Sequence, residues 1–571
     1  MTNLKNDRSL VIKELVHDGN SIKLTALLLF LCFFACLVGK AHSQDRPNII
    51  FVLTDDQSYG MMGCTGNEVV QTPHLDQLAQ EGVLFTNAHI TSAICTPSRA
   101  SILLSEYERK HGINFNSGTS MDLDAWDDSY PMVLRKNGYY TGWVGKNHVP
   151  VGDGGYTSGV MEKSFDYWYA GHGHLRFYPK EVHDIFLGAE EDTQVEVVSE
   201  GVQDFLSNEQ RLEGAVKFLE QRPQDKPFML SVCFNLPHGA GTSTMQQRTN
   251  DDNIYKSLYR DKEIPMPKYY MAKQDITEPK LPKEIHRADD RQQGYDYVDT
   301  PETNKERMIR QYQAMTGIDR MIGQLRERLE SEGLAKNTII IFTSDHGLFM
   351  GQFGLGGKAF CYEQTTHVPL IVYNPYIRKK LRGRKSDALV QSIDIAPTML
   401  EMAKVNIPKG YQGKSLMNLL NGEEQDIRQY LFTENLWSTQ FGNPKCEAVQ
   451  DKEWKYIRYY KNETLSAQRK IETAKMIGMP VNEMLYRVHD SDIANYRMLS
   501  ESSLIDHVPA FEELYNLAND PEEGVNLALD PKFTSKLEEL REVWYMQLIN
   551  ARGIGNPRVL RYTSDNGAVS K

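Results

Sequence analysis

The sequence predicts an α/β fold, a mixed and mainly parallel sheet between helices, followed by a smaller C-terminal α+β unit with an antiparallel sheet. Three observations predict it. Continuous apolar runs rich in branched residues alternate with helical periods, the pattern of strands buried on both faces. A polar cluster follows each of four such runs: Asp55-Asp56, Lys146 to His148, His238, and Asp345-His346. Near Arg428 short strands replace the strand–helix alternation.

Length and composition set the frame. A chain of 571 residues is long enough for one large domain and a smaller one. The division expected is 1–43 as a leader, 44–427 as the large domain and 428–571 as the C-terminal unit. The net charge of −12 argues against a general nucleic-acid binder. Leu24 to Val38 is an apolar run with Lys23 before it and Ala41-His42-Ser43 after it. This reads as an export signal cleaved after Ser43, giving a periplasmic or secreted protein. Lipid attachment at Cys36 is the second reading. The run is short for a membrane span, and no other segment looks membranous. Beyond the leader, Cys64, Cys95, Cys233, Cys361 and Cys446 show neither metal-type spacing nor a dense disulfide pattern. An odd number leaves at least one unpaired or modified, and Cys95 is the candidate.

The elements follow in order. Asn48 to Leu53 is a buried central strand ending at Thr54-Asp55-Asp56. Two adjacent carboxylates there are costly to bury without a cation or partner. Thr72-Pro73 opens a helix that runs to Glu81, and Val83 to Phe85 is a short strand. Tyr130 to Lys136 is a helix stopped by Asn137-Gly138. Tyr139 to Val144 is a strand followed by Gly145-Lys146-Asn147-His148, and Pro227 to Phe234 is another, followed by Pro237-His238. Residues 239–305 form a polar insertion, either a substrate loop or a surface excursion. Met308, Tyr312, Met315, Ile322, Leu325 and Leu329 share one face of a long helix ended by Gly333. Thr338 to Phe342 is a strand leading to Ser344-Asp345-His346-Gly347, and Pro369 to Tyr373 is a further strand. In the last part, Leu431 to Thr433, Glu447 to Val449 and Trp454 to Arg458 read as antiparallel strands, and Asp530-Pro531 caps a helix to about Ala551. The polar clusters fall at the carboxyl ends of strands, the edge where open α/β sheets bind ligands.

Cys95-Thr96-Pro97-Ser98-Arg99 is the centre of this arrangement. Pro97 suits the first turn of a helix, because its missing N–H would be unpaired there. Cys95 is therefore expected at a helix N-terminus, where free N–H groups favour an anion. Arg99, one turn on, is expected to reach the same anion. The reading is a nucleophile built into an anion site.

These residues resemble the sulfatase family of the alkaline-phosphatase-like superfamily. The resemblance runs from Asn48 to about Leu527. It rests on Cys95-x-Pro97-x-Arg99, Asp55-Asp56, Gly145-Lys146-x-His148, Pro237-His238, Ser344-Asp345-His346-Gly347, Lys358 and Asp394-Ile395-Ala396-Pro397-Thr398. It implies an alkaline-phosphatase-like large domain, sulfate-ester hydrolysis, and conversion of Cys95 to formylglycine (3-oxoalanine) by a formylglycine-generating or sulfatase-maturating enzyme. The hydrated aldehyde is a gem-diol: one hydroxyl attacks sulfur and the second lets the bound sulfate eliminate. It also implies one Ca²⁺ held by Asp55, Asp56, Asp345, His346 and residue 95, with hard oxygen donors of the kind that ion prefers. The Asp-His pair matches an iduronate-sulfatase-like branch. Arg99, Lys146 and Lys358 would stabilise the sulfate, His148 would steady the nucleophile, and His238 would protonate the leaving oxygen, although His148 and His238 could exchange roles.

The chain departs from the family at two places. Leu103-Leu104-Ser105-Glu106 stands where Leu-Thr-Gly-Arg is usual, and His367 stands where arginine is frequent. Gly171-His172-Gly173-His174 reads as a polar turn or a sugar contact. The function expected is an exported sulfatase acting on sulfated carbohydrates, such as glycosaminoglycan fragments or ulvan. The alternatives are a phosphoric or phosphonic ester hydrolase of the same superfamily and a non-catalytic sulfated-glycan binder.

Overall fold

The computed structural model describes residues 46–114, 119–173, 176–179, 194–198, 201–205, 207, 213–238, 257–285, 295–436, 444–460, 508–555 and 557–561. The expected leader with Cys36, part of the insertion and His174 lie outside them. Among the described residues no helix is long and apolar enough to cross a membrane.

An eight-stranded sheet carries the large unit. In chain order its strands are β1 (Asn48–Asp55), β2 (Val83–Phe85), β3 (Tyr140–Asn147), β4 (Tyr167–His172), β5 (Phe228–Pro237), β6 (Thr338–Ser344), β7 (Leu370–Tyr373) and β8 (Arg384–Ser386). In space the order is β8-β2-β7-β6-β1-β5-β3-β4. The run from β6 to β4 is parallel. β7 pairs antiparallel to both β6 and β2, which makes the sheet mixed.

β1 shows why the sheet is buried on both sides. Its side chains alternate, as strand geometry requires. Ile50 and Val52 enter the apolar cluster on one face, and Ile49, Phe51 and Leu53 enter the cluster on the other. On the first face lie α1 (Pro73–Glu81) and the long α4 (Pro301–Ser331), whose Met308, Met315, Ile322 and Leu325 fill the cluster. On the second face lie α2 (Cys95–Leu104), α3 (Tyr130–Lys136) and α5 (Ile395–Met402).

Register brings the polar clusters together. Leu53 stands opposite Cys233 on one side and Thr343 on the other, and Cys233 in turn stands opposite Gly145. One row across four strands therefore sets Asp55, Lys146, His238 and Asp345 at the same edge. Strands β1, β3 and β5 run further than their apolar residues suggest, through Asp55, Asn147 and Pro237. Asp55 and Lys146 are thus held on sheet backbone, and His238 and Asp345 directly follow the last residues of β5 and β6.

A separate antiparallel sheet contains β9 (Leu431–Asn435), β10 (Lys445–Gln450), β11 (Trp454–Tyr460) and β12 (Phe511–Asn516). Helix α6 (Thr534–Arg552) covers it, with Leu540, Val543, Trp544 and Leu548 against Phe432, Val449, Tyr456 and Leu514. Asp530 accepts a hydrogen bond from the Lys532 amide and starts a 3₁₀ turn (Pro531–Phe533) that precedes the helix. Val559–Arg561 then returns to pair with Thr119–Met121 in the large unit.

Candidate active site

Cys95 is the first residue of α2, a helix buried along its whole length. Three carboxylates from the strand ends (Asp55, Asp56 and Asp345) and three basic side chains (Arg99 of α2, Lys146 of β3 and Lys358) gather around its thiol. Lys358 donates to Cys95 Sγ at 3.0 Å and to Asp56 Oδ1 at 2.9 Å. His346 Nε2 is 3.2 Å from the same sulfur. Arg99 donates from Nη2 to Asp55 and from Nε to Asp345, both at 2.8 Å. Lys146 donates to Asp55 as well. Arg99 thus bridges two carboxylates at the strand ends, and this ties α2 to β1 and to the end of β6. Ser98 fixes the helix a second time by donating to the Asp345 carbonyl at 2.5 Å.

The electrostatics follow from burial set against charge. Burial opposes ionisation of Asp55, yet Lys146 and Arg99 hold its carboxyl well below the usual range. Burial would likewise lower the Lys358 ammonium, and Asp56 with Cys95 keeps it well above its ordinary value. Burial would lower His346 too, but the Asp345 carboxylate beside it lifts the imidazole to about 9. His238 goes the other way: burial, then the positive charge of Lys358, hold it well below 6.5. Its Nε2 lies 3.8 Å from Asp56 Oδ2.

The donor set fits a divalent cation, with two of its four members hard carboxylates. Donor atoms of Asp55, Asp56, Cys95 and His346 lie within 4.8 Å of one another, all buried. Asp56 Oδ2 is buried with no hydrogen-bond partner, which is costly for an anionic oxygen unless a cation meets it. Asp56 also adopts the left-handed region (φ 62°), a strained conformation for a residue with a Cβ. Asp345 is outside that group of four: its Oδ2 is engaged by Arg99, and its Oδ1 accepts from the Asp56 amide at 3.3 Å.

Other residues singled out in the sequence have contacts of their own. His148 is buried just past β3, its ring 6.4 Å from that of Tyr156. His172 belongs to β4 rather than to a turn, and it bonds Glu162 at 2.7 Å and Asn147 at 2.8 Å. His367 bonds the Thr86 carbonyl at 2.8 Å and stacks on Tyr59 and His89. Ser105 occupies the left-handed region (φ 54°) at the end of α2, where glycine would be free of strain. Its hydroxyl compensates by donating to the Ile393 carbonyl at 2.6 Å and accepting from the Gly413 amide at 3.1 Å. Two residues near the site carry no local signal in the sequence. Tyr297 and Arg307 pack together, the guanidinium 4.8 Å from the ring centre, and the charges of Asp56 and Lys358 reach Tyr297. Each sits in a polar stretch that looks like ordinary surface.

The sulfatase family profile matches residues 47–405, which span every one of the residues just described from Asp55 to His367. The chain belongs to the sulfatase family. It is therefore a sulfuric ester hydrolase, and its large unit has the alkaline-phosphatase-like fold. A second profile, N-sulphoglucosamine sulphohydrolase, C-terminal, matches residues 351–470. This sulfatase is 28% identical over 456 residues to an N-acetylglucosamine-6-O-sulfatase of Bacteroides thetaiotaomicron (72% of this chain, 77% of the relative). It is 27% identical over 459 residues to an ulvan-active sulfatase of Formosa agariphila (77% and 79%). It is 26% identical over 523 residues to human N-sulphoglucosamine sulphohydrolase (90% and 91%). Among solved structures, that of BT4656 in complex with its substrate D-glucosamine-2-N,6-O-disulfate has a TM-score of 0.58 at 20% identity, covering 90% of this chain and 99% of that one. At that identity the likeness speaks for the fold.

Proposed function

We propose that this sulfatase is an exported enzyme that removes sulfate from sulfated glycans, glucosamine sulfates first among them, with a formylglycine made from Cys95 and one Ca²⁺. One observation carries the catalytic part. The Cys95 side chain is buried among Lys358, His346 and Asp55, with sulfur-to-partner distances of 3.0, 3.2 and 3.7 Å, so the position reserved for the nucleophile is already surrounded by charge. The names of the relatives support a sulfated sugar, glucosaminide or ulvan-derived.

Formylglycine at position 95 would supply a hydrated aldehyde as nucleophile, and Ca²⁺, held by Asp55, Asp56, His346 and residue 95 with Asp345 adjacent, would supply positive charge beside the sulfate. This chain's own residues do the rest. Lys358 and Lys146 place ammonium groups where negative charge develops on the transferring sulfate, inside a buried site where such charges act strongly. Arg99 holds Asp55 and Asp345 in register, which keeps Asp55, one of the cation's ligands, in place. His238 faces the site with a neutral imidazole. A bound sulfate ester adds negative charge next to it and favours its protonated form, which suits it to deliver a proton to the leaving oxygen. His148 supports the nucleophile from the end of β3.

Two measurements test the reading. Mass spectrometry of the Cys95 peptide, from a host with the maturation enzyme, should show formylglycine, and cysteine alone would refute the mechanism. Matched aryl sulfates and phosphates, with a panel of sulfated glucosamines and ulvan oligosaccharides, should show sulfate release exceeding phosphate release.

A further inference from the structure

Cys361 and Cys446 stand 85 positions apart in the chain, yet their sulfurs touch at 3.5 Å. Neither residue has exposed surface. Cys361 belongs to the large unit, three residues past Lys358. Cys446 lies on β10, where Asn435 of β9 and Tyr459 of β11 flank it on both sides. The contact therefore joins the segment that carries Lys358 to the antiparallel sheet.

Both cysteines are fixed by their surroundings. Cys446 and Ala448 alternate onto one face of β10, as strand geometry requires. They share an apolar cluster with Ile457, Tyr459 and Tyr515 of the same sheet and with Phe360, Cys361 and Tyr362 of the large unit. Tyr362 donates to Glu513 of β12 at 2.7 Å. At the other end of the segment, the Ala359 amide donates to the carbonyl of Ala93 at 2.8 Å, two residues before Cys95. Segment 358–362 thus runs from the nucleophile to the second sheet. A disulfide needs its sulfurs at about 2 Å, so about 1.5 Å separates this contact from a bond.

We propose that Cys361 and Cys446 form a disulfide in the exported protein, a covalent staple between the Lys358 segment and the antiparallel sheet. The oxidant is an external disulfide, that of a thiol–disulfide oxidoreductase in the exporting compartment or of oxidised glutathione in vitro. The thiolate of one cysteine attacks that disulfide, forms a mixed disulfide and releases one thiol. The thiolate of the other then attacks the mixed disulfide and releases the second thiol. Two electrons pass to the oxidant, and the two protons given up by the cysteines end on the released thiols. Burial holds the Cys446 thiol well above its ordinary value, so the exchange belongs to the folding chain, before the cluster closes. The closed cluster then shields the bond from reductants. The proposal takes its oxidising compartment from the export reading, while the pairing itself stands on the contact.

The test refolds the chain with a mixture of oxidised and reduced glutathione, and in parallel with dithiothreitol. Each sample is denatured, alkylated with iodoacetamide, digested and weighed by mass spectrometry. The glutathione sample should leave Cys361 and Cys446 unalkylated and give their peptides as one linked species, two hydrogens lighter than the sum. Cys64 and Cys233 should be alkylated in both samples. The linked protein should melt higher by about 5 °C or more, because the bond constrains a long loop of the unfolded chain. The double variant Cys361→Ala, Cys446→Ala should melt alike from both buffers. Alkylation of both cysteines in the glutathione sample overturns the disulfide, and so does the same result in chain recovered from the periplasm. Equal melting of the linked and unlinked protein overturns the staple. A link formed in glutathione by a chain that remains in the cytoplasm of its host defeats the export reading and leaves the pairing established.

Discussion

Lys358 and Cys95 are joined by a 3.0 Å contact between ammonium and sulfur, although 263 positions separate them in the chain. The same ammonium holds Asp56 at 2.9 Å. Lys358→Met should lower kcat/KM for an aryl sulfate about 10²- to 10³-fold, the loss typical of a donor aimed at developing charge. Steady-state kinetics at saturating Ca²⁺ checks this, and a loss below tenfold would remove Lys358 from the reaction.

If His238 protonates the leaving oxygen, its removal should matter most where the leaving alcohol is least acidic. His238→Ala should slow a glucosamine sulfate far more than a nitrophenyl sulfate, whose leaving group needs no proton. His148→Ala should slow both alike. Equal losses in His238→Ala would exchange the two roles.

Gly145 precedes Lys146 on β3 with φ 98°, and a Cβ there would lie 2.1 Å from the Cys233 carbonyl oxygen. Gly145→Ala meets both a left-handed backbone cost and a backbone clash, and it should destabilise the fold by about 3 kcal/mol. Urea unfolding measures it. Near-normal stability with full activity would show that β3 and β5 can separate without disturbing Lys146.

Glu106 is buried, and that burial lifts its carboxyl to about 7 against the pull of Arg558 at 3.5 Å. The folded state therefore favours the protonated form. Its contribution to stability is whole below pH 4.5 and is lost as pH rises through 7, on the order of 3 kcal/mol across that window. Glu106→Gln should raise the urea midpoint at pH 8, leave it unchanged at pH 4, and flatten the slope between. A steeper slope in the variant would contradict the assignment.

Chelation should strip the cation from Asp55, Asp56 and His346 and abolish activity, with Ca²⁺ restoring it. Loss of the cation also leaves Asp56 Oδ2 without a partner, so the melting temperature should fall with the activity. Zn²⁺ or Mg²⁺ restoring activity where Ca²⁺ does not would reassign the ion.

The sheet was readable because its central strands are apolar on both faces and end abruptly in charge. Asp55, Lys146, His238 and Asp345 could be gathered from sequence alone because parallel strands must align their carboxyl ends. What could not be read depends on side chains meeting across the fold. Nothing near Arg99 announces that it bridges Asp55 and Asp345 rather than pointing only at an anion. Arg307 and Gln311 sit beside the apolar face of α4 and look like its solvated flank, although both are buried in the fold. β12 does not read as a strand because Glu512 and Glu513 interrupt its apolar pattern; the second glutamate is buried against the hydroxyls of Tyr362 and Tyr459.

The burial of α2 also imposes an order of events. Cys95 has no exposed surface, and every residue of its helix up to Leu104 is covered. If Cys95 is converted to formylglycine as proposed, the enzyme that converts it would have to reach this stretch before it is covered, because the folded protein is a closed door to it. On that proposal, synthesis would be a race between modification and collapse, and a molecule that folded first would keep its thiol. Slow or fast folding, set far from the active site, would then determine what fraction of the molecules ever becomes an enzyme.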